Sequence, residues 1–296
     1  MKTLFNGELQ SVLDDKKISE VLRDVSVAAL SDEDVMVALH DPCDIRKAYS
    51  EKLENLGIVR DLKGNFINGY NTFNTVCVNG DGKRLHLSNI TVYSNGDKAH
   101  YVKQAELDAL VQKQVKSIKQ KKPVELTGRE TAILQLLEEA NPKTAVWHVL
   151  DRQFDGVPLF EFIKYDLNDT FVIRLKISRN SNEKSVNQAG KAAAVKLKDV
   201  PLNGKRVEVL DKVRIKKKVY QQVKREIEWG TLILEGETYH VVRVTLLKRV
   251  DRPIFKHPML LLTNQPVEAR QEAHSIYQLY LMRSKIEEVF KFRPLA

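Results

Sequence analysis

Cysteine is nearly absent: the 296 residues hold two, Cys43 and Cys77. Two thiols without metal-like spacing exclude a disulfide-stapled secreted scaffold and a cysteine zinc site, and they fit a reduced, cytoplasmic protein. Long apolar runs are missing as well. No stretch approaches the roughly 18 residues that span a bilayer, so no membrane partner is expected. The start, Met1 to Glu20, is polar and mixed in charge, unlike a signal peptide. Glycine and proline, at 13 and 9, are ordinary, which argues against a disordered or low-complexity chain.

What is present is a hydrophobic content of 43%, enough for one large core or two modest ones. The net charge is +9 and the pI about 9.3, which favours an anionic polymer as partner. The positive charge is clustered. Lys113 to Lys122 holds five lysines and Lys212 to Arg225 seven basic residues, both without an acid. Arg243 to Lys256 is a third basic stretch, broken only by Asp251. Any one such run is an ordinary solvated face; three of them suit a surface that follows a phosphate track.

Periodicity predicts one or two helices over 8–30. A buried strand follows at Val35–Leu39, with Asp41 at its tip. Strands are predicted at Phe66–Val78 and Leu85–Tyr93, joined by the turn Asn79-Gly80-Asp81-Gly82. Mostly helical residues at 103–139 precede a strand at Thr144–Leu150 that ends in Asp151. A helix at Pro158–Tyr165, a strand at Phe171–Ile177, a strand at Met259–Thr263 and a long helix at Val267–Phe292 complete the order. The expectation is an α/β fold, a ribonuclease H-like mixed sheet flanked by helices, with a β-rich insertion before the last strand and helix. In segments, 1–34 is a partial N-terminal helical piece and 35–190 the first part of the catalytic domain. The insertion is 191–256, and 257–296 is the last strand and closing helix.

Asp41 and Asp151 then lie at strand tips and Glu287 on the closing helix. Three carboxylates in one cavity require a cation, and oxygen-only ligands select Mg²⁺ or Mn²⁺. Two such ions about 3.5–4 Å apart activate a nucleophile and stabilise a leaving oxygen. Singly, an Asp at a strand end is more often a cap. On the last helix, Tyr280, Arg283, Glu287 and Lys291 share an arc of roughly 80°, a polar stripe that an Arg283–Glu287 ion pair would also explain.

The pattern Tyr280-x-x-Arg283-x-x-x-Glu287-x-x-x-Lys291 resembles the signature of a large family of bacterial insertion-sequence transposases with a DDE active site. The segment from Val146 to Asp155 is similar to that family's second acid motif, a hydrophobic strand followed by Asp-Arg-Glu, with Gln153 in place of the Glu. The strand Leu260–Asn264 before the last helix is also typical. The resemblance covers roughly 30–296. It implies a DNA transposase core with Asp41, Asp151 and Glu287 as catalytic metal ligands, which cleaves double-stranded DNA at transposon ends and transfers the strands to a target. Tyr280, Arg283 and Lys291 would bind DNA phosphates, and the active complex of relatives is a homodimer. The first acid of the family is commonly followed by Thr or Ser, whereas Asp41 precedes Pro42 and Cys43, so Asp44 stands as the alternative. Forty residues precede Asp41 and the chain stops at Ala296, both short for the family, which makes a truncated copy the expectation. Two rivals stay open: a DNA-binding relic or regulator, and a stand-alone nuclease of the same fold. Trp229 reads as core rather than as an aromatic that holds a flipped base. His148, three residues before Asp151, reads as pointing away from it and carries no catalytic role.

Overall fold

The computed structural model describes residues 15–53, 56–93, 145–186, 192–215 and 218–289. The helix expected over 103–139 and the basic run Lys113–Lys122 lie outside the described residues, as does Lys291. The chain divides into two compact units, Met1–Ala145 and Val146–Ala296.

In the first unit, helix α1 (Asp15–Ala29) packs on an antiparallel sheet. Strand β3 (Phe66–Asn79) is its centre, flanked on one side by β1 (Val35–Arg46) and on the other by β2 (Gly57–Arg60) and β4 (Leu85–Tyr93). Alternation and β-branched residues make these strands, and Val37, Leu39, Phe73, Val76 and Val78 are buried in them. The β3–β4 turn forms where expected: the Gly82 amide donates to the Asn79 carbonyl at 2.8 Å, and Gly82 takes a φ of 70° that glycine adopts without strain.

Two expectations change here. Strand β1 does not end at Leu39 but runs on to Arg46, which places Asp41 in mid-strand opposite Asn74 rather than at a tip. The 14-residue β3 supplies pairing partners that outweigh the poor strand preference of Asp41, Pro42 and Asp44. Strand β2, absent from the sequence reading, is folded back on β3 by a turn. There the Asp61 carboxylate accepts from the Lys63 and Asn65 amides, each at 2.8 Å.

The second unit is built on a mixed sheet of β5 (Ala145–Leu150), β6 (Thr170–Arg174), β12 (Met259–Thr263), β11 (Glu237–Leu247), β10 (Lys218–Leu234) and β9 (Gly204–Ile215), in that spatial order. Strands β5 and β6 are parallel and the other pairs antiparallel. The crossover between β5 and β6 holds a 3₁₀ turn (Arg152–Phe154), the short helix α2 (Val157–Glu161) and a π turn (Phe162–Asp166). A separate hairpin pairs β7 (Asn180–Val186) with β8 (Ala192–Lys196). Phe160, Phe171 and Tyr239 meet in the core, with Phe160 stacked on Phe171 at 5.5 Å and edge-on to Tyr239 at 6.0 Å. Residues 191–256 contribute β8 to β11, and the last three of these strands continue the sheet through β12 to β6.

The closing helix is not one element. Helix α3 (Arg270–Met282) stops, and α4 (Ser284–Val289) starts after the single intervening residue Arg283. The amides of Arg283 and Ile286 bond to carbonyls three residues back, at 3.1 and 3.2 Å, so the chain tightens around Arg283. No helix among the described residues is long and apolar enough to cross a membrane.

Candidate active site

Because β5 and β6 run in parallel with Leu150 level with Ile173, Asp151 and Arg174 emerge at the same edge of the sheet. Open sheets of this kind place ligands outside the carboxyl ends of their strands. Asp151 follows the last residue of β5 and caps the turn behind it, its carboxylate accepting from the Arg152 amide. The cap fixes the Asp151 side chain at the strand end.

Helix α3 brings its last turn to the same place. Ala273, Ile276, Tyr277 and Tyr280 are buried along it, so apolar contact sets the position of Arg283. The Arg283 guanidinium lies 3.5 Å from Asp151 Oδ2, with 17% and 21% of the two side chains exposed. Burial pushes the Tyr280 phenol up and the Asp151 carboxylate adds to this; Arg174 and Arg283 beside it partly offset both. Asp151, Tyr280, Arg283 and Arg174 therefore form one cluster, drawn from a strand end, a second strand end and a helix terminus.

The remaining expected residues stand as follows. Glu287 is exposed on α4, four residues beyond Arg283. The stripe that ideal helix geometry predicts is therefore graded, from buried Tyr280 through half-buried Arg283 to exposed Glu287. Asp41 belongs to the first unit; it is half-buried, and the Cys43 thiol donates to its Oδ2 at 3.0 Å. The Asn74 amide donates to the Asp41 backbone carbonyl at 3.1 Å. Asp44, the alternative first acid, is exposed. Among the described residues no group of three or more His, Cys, Asp or Glu side chains is arranged to hold a metal ion.

Two tempting residues have structural work. His148 is fully buried and its Nε2 lies 2.9 Å from Oδ2 of the buried Asp169. Trp229 is half-buried, and its ring lies so close over Gly204 that a Cβ there would come within 2.1 Å of it. Its indole donates to the Glu268 carbonyl at 3.2 Å, just ahead of α3.

Sequence reasoning missed Arg174. It sits at the end of an apolar strand and in no basic run; only its pairing level with Asp151 reveals it. A scan of the chain against protein-family models finds no match, and neither does a search of curated proteins.

Proposed function

We propose that the chain is the catalytic core of a DDE-type DNA transposase, a metal-dependent phosphoryl-transfer enzyme on a ribonuclease H-like framework. The observation that carries this reading is the meeting of Asp151 with Tyr280 and Arg283. These residues come from two motifs far apart in the chain, and each motif resembles the transposase pattern independently.

The sequence resemblance nominates Asp41, Asp151 and Glu287 as metal ligands; of these, Asp151 is the one that lies in the Tyr280–Arg283 cluster, and no three acids among the described residues are arranged to hold an ion. The nominated donors are all oxygen, which suits Mg²⁺ or Mn²⁺, and Asp151 already faces a full positive charge in Arg283 at 3.5 Å. One or two such ions would make the attacking water or 3′-hydroxyl more acidic and stabilise charge on the leaving oxygen. The protein's own part is positional. Arg283 is a planar fork that can exchange its loose contact with Asp151 for a bidentate grip on a phosphate. That exchange draws the phosphate to the strand edge and exposes the Asp151 oxygens together. Tyr280, kept protonated by its surroundings, holds a hydroxyl donor beside them.

Incubation with supercoiled and end-containing DNA in Mg²⁺ or Mn²⁺ tests the proposal. Metal-dependent nicks followed by joined products support a transposase. Nicks without joining assign the chain to a stand-alone nuclease, and DNA binding without nicks to a regulator.

A further inference from the structure

A cleft of about 820 Å³ opens beside this site in the second unit, lined by Arg152, Arg174, Lys176, Lys196, Lys198 and His257 and, among the described residues, by no acid. Five permanent cations around one concavity repel one another, and a concave low-dielectric wall concentrates their field on whatever enters. The arrangement is built rather than incidental. The Asp155 carboxylate, 2% exposed, takes the Lys176 amide at 2.7 Å and the Arg179 side chain at 2.5 Å. This carboxylate is thereby committed to fixing the loop that turns Lys176 into the cleft. Lys196 Nζ donates to the Ser178 carbonyl at 3.1 Å and to Asn180 Oδ1 at 2.7 Å, tying the far wall to that loop. Arg243, paired with Glu228, donates to the Lys198 carbonyl at 2.7 Å and holds the third segment. Lys198 Nζ is 3.2 Å from the exposed Asp199.

We infer that this cleft binds consecutive phosphates of a DNA strand whose scissile bond lies at Asp151, an inference that rests on the reading above. The five cations come from three separate chain segments and spread along the walls. Among the described residues that line it there is no glycine, and so no glycine-rich loop to cradle a compact polyphosphate. A spread of point charges at one edge of a site matches a continuous phosphate track instead. Arg152 directly follows Asp151 and Arg174 touches Tyr280, so the track leads from the cleft to the reacting phosphate.

The test compares salt dependence of duplex binding for the wild-type chain, the double variant Arg152→Gln/Lys176→Gln, and a charge-matched control outside the basic stretches, Lys52→Gln/Lys63→Gln. All four positions are exposed, so the folds are expected to survive, and thermal melts check this. The expected result is a fall of about two in the slope of log K against log salt for the cleft variant, about one for each phosphate contact, and little change in the control. Equal slopes in wild type and cleft variant, or an equal fall in the control, would overturn the cleft while leaving metal-dependent nicking to decide the catalytic reading. A reduced slope with no nicking by the wild type would keep the cleft and remove the catalytic reading. Displacement of DNA by micromolar tripolyphosphate in the wild type alone would reassign the cleft to a small polyphosphate. Absence of duplex binding at low salt would overturn both.

Discussion

Arg283 decides how Asp151 behaves, because it is the charge that faces the carboxylate before any cation or phosphate arrives. If Arg283 grips the scissile phosphate as proposed, Arg283→Gln should weaken DNA binding and cut nicking more than binding; a gel-shift titration read beside a nicking time course checks the split. A second residue, Glu208, governs the mooring of α3. It pairs with Arg225 at 2.5 Å across the β9–β10 ladder and with Arg270 on α3 at 2.7 Å. Hydrogen bonds from Arg225 and Arg270 hold its carboxyl down at about 2, against an ordinary value of 4.5. The pair therefore contributes stability at pH above about 4.5, and that contribution is lost as pH falls toward 2. Glu208→Gln should cost about 2 kcal/mol at neutral pH. The gap in melting temperature between variant and wild type should close as pH drops below 4.5; a gap that stays constant would show that the carboxylate charge contributes nothing.

At the scale of elements, the chain's own patterning located most strands and left their ends and partners open. Met259–Thr263 was legible because an apolar run sits between Pro258 and Asn264-Gln265-Pro266. The extension of β1 through Asp41 was hidden, because it depends on the length of β3 and not on local preference. The break at Arg283 left no trace, since neither Pro nor Gly marks it; it arises from a tightened turn in an otherwise helical sequence. Asp151, Tyr280 and Arg283 could be nominated from motifs, whereas Arg174 and the cleft lysines are scattered and become neighbours only through the parallel β5–β6 pair and its crossover. The same scale yields a prediction for the β9–β10–α3 junction. Gly204→Ala would push a methyl group into the Trp229 ring, which cannot flex away as an aliphatic chain would. The expected cost is about 1–3 kcal/mol in chemical denaturation. The indole emission should shift to the red as Trp229 loses its bond to the Glu268 carbonyl. Unchanged emission and stability would mean that Trp229 does not pin the start of α3.

For the whole molecule, the net charge of +9 favours an anionic polymer as partner, and the proposed binding to DNA should weaken steeply as salt rises. Charge accounts for encounter but not for chemistry, since any basic protein binds DNA to some extent. The chemical proposal is narrower: the acids that the sequence resemblance nominates, Asp41, Asp151 and Glu287, are each required for a divalent-metal reaction. Single-turnover cleavage of end-containing DNA in Mn²⁺ tests it most directly, with the wild type compared against Asp41→Asn, Asp151→Asn and Glu287→Gln at equal DNA occupancy. Loss of any one metal ligand should lower the cleavage rate by about 100-fold or more, with DNA binding retained in all three variants. Cleavage at the wild-type rate in any of the three, or cleavage that proceeds equally in EDTA, would contradict the account.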